Sequence, residues 1–243
     1  MLRSRYQGTI LAVVAALALL LAACGGNNNP SGGSSATTAG GASDLGKQLP
    51  ASIQQSKEIK VGSDVAYAPV EFFKEGTQEV QGIDWDLAQA LGSKLGVKFT
   101  FQNTTFDGII PALKAKRFDI ILSAMSDTPD RQKEVDFIDY FTAGTSILVK
   151  KGNPEGIQSL DDLCGKTIAL QKGTTQVGVA TEQQGKCTAA NKPKINVLTY
   201  DKDTDAQLQV RSGRAVADMN DFPVAAYAAQ TLGGGGQFEV VGE

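Results

Sequence analysis

The stretch "FDIILSAMSDTPDR", residues 118–131, joins an apolar run to a polar loop that ends in an arginine. Short apolar runs of this kind are typical of buried strands. Similar strand patterns lie at residues 58–63, 97–101, 145–150, 166–171, 195–200 and 215–219, and helical patterns lie near 83–95, 107–116, 159–163, 174–184, 203–212 and 221–231. Strands that alternate with helices form βαβ units, so the sequence predicts an α/β protein with mostly parallel sheets.

Five of the predicted strands are followed by loops rich in polar and aromatic residues. In an open α/β sheet, ligands bind beyond the carboxyl ends of the strands. The sequence therefore predicts a binding site made of aromatic rings, hydroxyls, an arginine and an acidic residue. Its loops read "SDVAYAPVEFF", "QNTTFDGIIPAL", "SAMSDTPDR", "QKGTTQ" and "NDFPVAAY".

The composition excludes several classes of function. The 243 residues carry 23 basic and 26 acidic side chains, a net charge of −3, and no basic block follows the first residues. Nucleic acids are bound through clustered Lys and Arg, so we expect no nucleic-acid partner. The chain contains no histidine, which rules out imidazole bases and His-ligated metals. We expect no cofactor.

The first 24 residues have the layout of an export signal. Arg3 and Arg5 precede an apolar run that extends to Leu20, and the segment ends in "LAAC" at Cys24. We expect residues 1–23 to be a lipoprotein signal peptide, Cys24 to carry lipid, and residues 24–52 to include a flexible linker. The protein would then be anchored to the outer face of the cell membrane. A transmembrane anchor is the alternative, because the apolar run is nearly long enough to span a bilayer.

Two further cysteines, Cys164 and Cys187, remain in the exported part of the chain. In an oxidising compartment an isolated pair of this kind predicts a disulfide, with two free thiols as the alternative. The bond would close a loop of about two dozen residues and so stabilise the fold by about 3 kcal/mol in the chain-entropy account. We expect its role to be structural.

Several blocks of sequence, taken together, resemble the extracellular solute-binding proteins, family 3, of polar amino acid ABC importers. The resemblance implies the type II periplasmic binding protein fold, with lobe 1 at 53–149, lobe 2 at 150–238 and a return crossing that starts at 239–243. Family members continue past "FEVVGE", so we expect the C-terminal part of the first lobe to be missing. The blocks are "GSDVAYAPVEF", "GIDWDLAQAL", "FDGIIPALKAKRFDIILSAMSDTPDRQKEVDFIDYF", "SLDDLCGKTIALQKGTTQ" and "DAQLQVRSGRAVADMNDFPVAAY".

The resemblance assigns the two charges of an amino acid ligand to opposite charges of this chain. Arg131 matches the arginine that holds the α-carboxylate, and Thr175 matches a residue that reaches the same group. Asp221 matches the acidic residue that holds the α-ammonium. The alternatives are a surface role for Arg131, capping a helix or pairing with Glu134, and a helix N-cap role for Asp221.

Other matched positions surround the rest of the ligand. Ser123 and Ser126 match hydrogen-bonding positions in the first lobe, of which Ser123 is the expected contact to the α-amino group. Tyr67 and Phe106 match aromatic walls whose alternative is an ordinary core role. Asp64 matches a position that reaches the distal end of the ligand, with a turn cap as an equal alternative.

The resemblance predicts an amino acid-binding protein, with glutamine or a basic amino acid favoured, that delivers its ligand to a membrane permease. We expect a monomer and no enzymatic activity. The alternatives are a ligand-sensing domain of a receptor system and an enzyme such as a cyclic dehydratase. An enzyme would need a catalytic carboxylate in the cleft, for which Glu71 and Asp64 are the candidates.

Overall fold

The computed structural model describes residues 41–242, which form two α/β lobes. The predicted signal peptide, Cys24 and most of the predicted linker lie outside these residues. No helix within 41–242 has both the length and the apolar character needed to span a membrane.

Lobe 1 is built around a three-stranded parallel sheet in the order β5-β1-β6. A second, antiparallel sheet of β2, β3 and β4 extends from it. The elements are α1 (Gly41–Gly46), α2 (Ala51–Ser56), β1 (Glu58–Ser63), β2 (Ala66–Tyr67), β3 (Glu71–Phe73), β4 (Val80–Gln81), α3 (Ile83–Leu95), β5 (Lys98–Asn103), a 3₁₀ turn (Phe106–Gly108), α4 (Ile109–Lys114), β6 (Ile120–Ile121) and α5 (Pro129–Gln132).

Helix α3 shows why these residues form this element. Acidic side chains lie in its first turn and Lys94 in its last, which complements the helix dipole. Gly96 ends the helix in the left-handed conformation, with φ 67°, which glycine adopts without strain. Ala88 packs on Val61 and Phe99 of the sheet, and burial of each large apolar side chain contributes about 1.5–3 kcal/mol.

Lobe 2 contains a five-stranded sheet in the order β11-β7-β10-β8-β9. Strand β8 is parallel to β9 and β10, whereas β7 is antiparallel to β10 and β11. The elements are β7 (Thr145–Lys150), a 3₁₀ turn (Leu160–Leu163), β8 (Thr167–Gln171), α6 (Thr175–Ala189), β9 (Asn196–Tyr200), α7 (Asp203–Ser212), β10 (Ala217–Asp221), α8 (Phe222–Thr231) and β11 (Phe238–Val241).

The predicted disulfide is present in lobe 2. Cys164 and Cys187 are bonded, with their Cα atoms 5.6 Å apart. Cys187 lies on α6 within the apolar core formed by Ile168, Leu170 and their neighbours. The bond fastens α6 to the segment after the 3₁₀ turn, away from the loops at the strand ends.

The pairing of β7 and β11 bears on where lobe 1 ends and lobe 2 begins. Strand β7 pairs with β10 and β11 from Thr145 onwards, so lobe 2 begins before 150. Strand β11 belongs to the same sheet, so residues 239–241 are part of lobe 2 rather than the start of a return crossing. The apolar pattern of a strand is the same whichever sheet it joins, and the sequence therefore could not place these borders.

Two smaller predictions also needed correction. The linker was predicted to extend to residue 52, but α1 and α2 are folded, and Leu49 and Ile53 pack against the core of lobe 1. The strand predicted over 118–123 is regular only at Ile120–Ile121.

Candidate functional site

All eight predicted ligand-binding residues line one cavity between the two lobes. The cavity measures about 20 Å³. Small-molecule sites usually measure roughly 300–1,000 Å³, so the lobes lie close together here. The eight residues are Asp64, Tyr67, Phe106, Ser123, Ser126, Arg131, Thr175 and Asp221.

The side chain of Arg131 reaches from lobe 1 to lobe 2. One of its terminal nitrogens donates to the Ser126 carbonyl at 2.7 Å and the other to the Gly173 carbonyl at 3.0 Å. The guanidinium carbon lies 5.4 Å from the centre of the Phe106 ring, within the range of a cation–π contact. The alternative pairing with Glu134 is not formed, because Glu134 pairs with Lys114.

Helix α5 explains how Arg131 is oriented. Thr128 is the N-cap of this helix, and its hydroxyl accepts a hydrogen bond from the Arg131 backbone N–H at 3.3 Å. Pro129 occupies a position in the first turn where a missing N–H costs nothing. Burial lowers the pKa of Arg131 while the charge of Asp221 raises it, and a guanidinium stays protonated under such conditions.

Asp221 ends β10 and stands at the N-cap position of α8, but its side chain makes no capping bond. Its carboxylate accepts hydrogen bonds from the Tyr67 hydroxyl at 3.2 Å and from the Gln176 amide at 3.0 Å. Burial raises the pKa of Asp221, and these two bonds together with the charge of Arg131 oppose the rise. The carboxylate is thus directed into the cavity and bound across the lobes.

The N-terminus of α6 forms another wall of the cavity. Thr175 is the first residue of this 15-residue helix, and its hydroxyl donates to the Gln176 side chain at 3.2 Å. Helix N-termini carry free N–H groups and a partial positive charge, which suits an anionic group. We call Arg131, Tyr67, Thr175, Gln176 and Asp221 the Arg131 group.

A second set of cavity residues is acidic and has no cation among its members. Asp64, directly after β1, accepts a 2.5 Å hydrogen bond from Gln171 of lobe 2, and its backbone N–H donates to the Ser123 hydroxyl at 2.9 Å. Glu71 on β3 is fully buried and accepts a hydrogen bond from the same hydroxyl at 3.0 Å. We call Asp64, Glu71 and Ser123 the acidic group.

Burial dominates the electrostatics of the acidic group. It raises the pKa of Asp64 to about 6, although hydrogen bonds from Gln171 and from the Phe106 N–H and the charge of Lys202 oppose the shift. It also raises the pKa of Glu71 well above its ordinary value, with further contributions from the charges of Asp84 and Asp64. A cation placed beside these carboxyls would relieve the cost of ionising them.

The turn at Lys172 and Gly173 packs directly against Asp107 of lobe 1. Lys172 forms an ion pair with Asp107 of lobe 1 at 2.7 Å. Gly173 has φ 79°, and a Cβ placed on it would lie 2.8 Å from the Cβ of Asp107. Glycine is therefore required here both for the backbone conformation and for the packing of one lobe on the other.

Several cavity residues were not among the predicted ligand contacts. From the sequence, Glu71 is a candidate only for a catalytic carboxylate. Gln171, Thr174 and Gln176 belong to "QKGTTQ", one of the strand-end loops predicted to form the site. The rule that ligands bind at strand ends would have found all three, but amide and hydroxyl side chains carry no distinctive chemical signal. Ala124 lines the cavity as well.

Comparison with known proteins identifies the family of this chain. The model of the bacterial extracellular solute-binding proteins, family 3, matches residues 59–229. The arginine-binding extracellular protein ArtP of Bacillus subtilis is 37% identical over 183 residues, 74% of this chain and 67% of that protein. The ABC transporter arginine-binding protein 1 of Escherichia coli is 30% identical over 169 residues, 70% of this chain and 65% of that protein.

The matched segment thus spans about two thirds of the length of these curated relatives, which are named as binding proteins rather than enzymes. Among solved structures, the ancestral amino acid-binding protein AncCDT-1, described as a precursor of cyclohexadienyl dehydratase, has a TM-score of 0.69 at 40% identity and covers 82% of this chain and 81% of that chain. The predicted type II periplasmic binding protein fold is confirmed. The chain belongs to the bacterial extracellular solute-binding proteins, family 3.

Proposed function

We propose that this protein captures an amino acid with a cationic side chain between its lobes and delivers it to the permease of an ABC importer. The charge content of the cavity carries the proposal. Arg131 and Asp221 offer one positive and one negative charge, which match the backbone of a zwitterionic amino acid. Two further carboxyls, Asp64 and Glu71, are then left over, and the cavity lining within residues 41–242 contains no second Lys or Arg.

The Arg131 group suits the ligand backbone. A guanidinium fork pairs with a carboxylate through two parallel hydrogen bonds, and the N-terminus of α6 adds further donors. Asp221 would accept from the α-ammonium. A ligand that lacked one of these charges would leave a buried protein charge unpaired, which is costly.

The acidic group suits a cationic side chain and disfavours an anionic one. A guanidinium or ammonium beside Asp64 would replace the hydrogen bond that Gln171 now makes. A glutamate side chain would place a like charge next to the Asp64 carboxylate. Glutamine gains hydrogen bonds there but no charge pairing, so we rank it below the basic amino acids.

Ligand capture would work through lobe closure. Direct bonds between Tyr67 and Asp221, Gln171 and Asp64, and Arg131 and Gly173 already span the cleft. A ligand that contacts both lobes stabilises the closed arrangement in proportion to its preference for that arrangement over the open one. The closed lobes would then dock on the permease.

The relatives support the choice of ligand and of transport system, since both are named as arginine-binding proteins and one as part of an ABC transporter. Export through the signal at residues 1–23, anchoring through lipid on Cys24 and a monomeric state belong to the same proposal.

Calorimetric titration of the purified protein with arginine, lysine, histidine, glutamine and glutamate tests the ligand class. We expect a basic amino acid to bind best and glutamate worst. Preference for glutamate or for uncharged side chains would contradict the proposal, and no binding of any amino acid would remove the function altogether.

A further inference from the structure

The hydroxyl of Ser123 has a fixed direction. It is buried, accepts a hydrogen bond from the Asp64 backbone N–H, and donates its own hydrogen to Oε1 of Glu71. A serine hydroxyl has one hydrogen and two lone pairs. With the hydrogen and one lone pair occupied, Ser123 has only a lone pair left to offer the cavity that it lines.

Behind Ser123, Glu71 and Asp84 of α3 are buried carboxyls that influence each other's pKa through side-chain hydrogen bonding. Both residues are at most 1% exposed. Oε2 of Glu71 and Oδ1 of Asp84 are buried and have no hydrogen-bond partner within residues 41–242. Two buried acceptors without a donor are unfavourable, whereas one proton shared by the two carboxyls satisfies both.

The surroundings of the pair indicate which carboxyl holds the proton. Asp84 accepts from the backbone N–H of Ala124 at 3.4 Å, and burial raises its pKa while hydrogen bonds from Tyr140, Ala124 and Glu71 oppose the rise. Burial raises the pKa of Glu71 well above its ordinary value, and the charges of Asp84 and Asp64 raise it further. Asp84 is thus the better acceptor and Glu71 the better donor.

We propose that Glu71 is a positioning residue that is protonated on Oε2 towards Asp84 and thereby holds Ser123 as an acceptor facing the ligand. The inference rests on the proposed function for its effect on binding. A Ser123 lone pair accepts from an N–H of a cationic ligand and repels a carboxylate. Through Ser123, Glu71 therefore makes this part of the cavity prefer ligand groups that donate a hydrogen bond.

Every titratable group that faces Glu71 fits this assignment. Asp84 on α3 and Asp64 after β1 are acidic, and the Tyr140 phenol beside Asp84 is uncharged because burial and the charge of Asp84 raise its pKa. Arg131 and Asp221 line the same cavity, but neither hydrogen-bonds to Glu71. No cation among these groups takes the place of the proton.

Three substitutions distinguish the proposal from a merely structural role. Glu71→Gln keeps a carbonyl oxygen for Ser123 and supplies an N–H to Asp84, so it reproduces the protonated acid. Glu71→Met has a similar length but releases Ser123. Asp84→Asn can keep its carbonyl oxygen for the Ala124 N–H and direct its NH₂ at Oε2 of Glu71, which would then be ionised and still accept from Ser123.

The first readout is calorimetric titration of each variant with arginine. We expect Glu71→Gln to bind at least about tenfold more tightly than Glu71→Met, because a hydrogen bond to a charged group contributes about 1.5–3 kcal/mol. Asp84→Asn should resemble Glu71→Gln rather than Glu71→Met, because Ser123 still donates to residue 71 in both. Equal affinities of the two Glu71 variants, or a tolerated Asp84→Asn with a damaging Glu71→Gln, would overturn the proposal.

The second readout needs no ligand. The infrared spectrum of the wild type minus that of Glu71→Gln should show a protonated carboxylic acid. A difference spectrum is required because Asp203 and Asp218 form another buried carboxyl pair in lobe 2. Absence of the acid band refutes the inference even if arginine binds, whereas a band in a protein that binds no amino acid refutes the proposed function alone.

Discussion

The Arg131 group and the acidic group lie in the same cavity but balance their charges in different ways. In the Arg131 group, Asp221 is held by two side-chain hydrogen bonds and by the nearby guanidinium. The acidic group contains no cation, and burial raises the pKa of both its carboxyls. In the Arg131 group, the positive charge of Arg131 offsets the negative charge of Asp221. The acidic group has no positive member, so its carboxyls need a proton or a ligand cation. This difference assigns the ligand backbone to the Arg131 group and the ligand side chain to the acidic group.

The largest expected effect is the loss of Arg131, the only cation among the described residues that line the cavity. Arg131→Ala should weaken amino acid binding by about tens to thousands of fold, since removing one partner of a buried charge pair costs about 2–5 kcal/mol or more. Arg131→Lys should restore only part of the affinity because an ammonium lacks the bidentate fork. Titration calorimetry measures both.

Arg117→Ala provides the matched control, because Arg117 is exposed and does not line the cavity. It should leave binding at the wild-type level. If Arg131→Ala bound as tightly as this control, the assignment of the ligand carboxylate to Arg131 would be wrong.

A smaller effect is expected where Gly173 of lobe 2 packs against Asp107 of lobe 1. Gly173→Ala should weaken binding by about tenfold or more, because its Cβ would overlap Asp107 and oppose closure at a cost of about 1–3 kcal/mol. Gly213→Ala is the control: Gly213 has φ 77° and open space around its Cβ position, so it shares the backbone strain without the overlap. Equal loss of affinity in both variants would mean that strain, and not closure, is responsible.

The contrast between the two groups also explains what the sequence could predict. Arg131, Asp221 and Tyr67 follow predicted strands or stand at matched family positions, and charge marks two of them as candidates for a zwitterion. The lobe 2 amides Gln171 and Gln176 were missed because glutamine is common on any surface. The pair of Glu71 with Asp84 depends on how α3 packs against β3, which no local pattern encodes.

Helices and strands were predicted best where their ends are marked chemically. Helix α3 ends at Gly96, and α7 ends at Gly213 in the same left-handed conformation. The short strands β2 to β4 were missed because two or three residues are too few to show an alternating pattern.

A moderate effect of pH on arginine affinity should distinguish the acidic group from the Arg131 group. A bound cation favours ionised Asp64, whose pKa is raised to about 6, so arginine affinity should rise several-fold from pH 5 to pH 7 and then level off. The Asp64→Asn variant should lack this rise. Glutamine serves as the control ligand: any effect of Asp221 on the α-ammonium appears with both amino acids, whereas the Asp64 effect appears with arginine alone. The same pH profile for both ligands would contradict the role of Asp64.

The smallest expected effect on binding is that of the disulfide. Replacing both Cys164 and Cys187 with Ser should lower the free energy of unfolding by about 2–5 kcal/mol, as measured by denaturant titration. Arginine affinity should stay within about twofold at temperatures where the variant is folded, because neither residue lines the cavity. A reducing agent should destabilise the wild type but not the double variant. A large loss of arginine affinity in the folded variant would contradict a purely structural role of the disulfide and show that the packing of lobe 2 affects ligand binding.

The most direct test of the central claim compares arginine with citrulline, its uncharged isostere, in the wild type and in Asp64→Asn. If the acidic group selects a cation, the wild type should bind arginine at least about tenfold more tightly than citrulline, consistent with about 1.5–3 kcal/mol for a hydrogen bond to a charged group. The ratio should fall close to one in Asp64→Asn, while both ligands remain dependent on Arg131. Equal affinities of the wild type for arginine and citrulline would contradict the account.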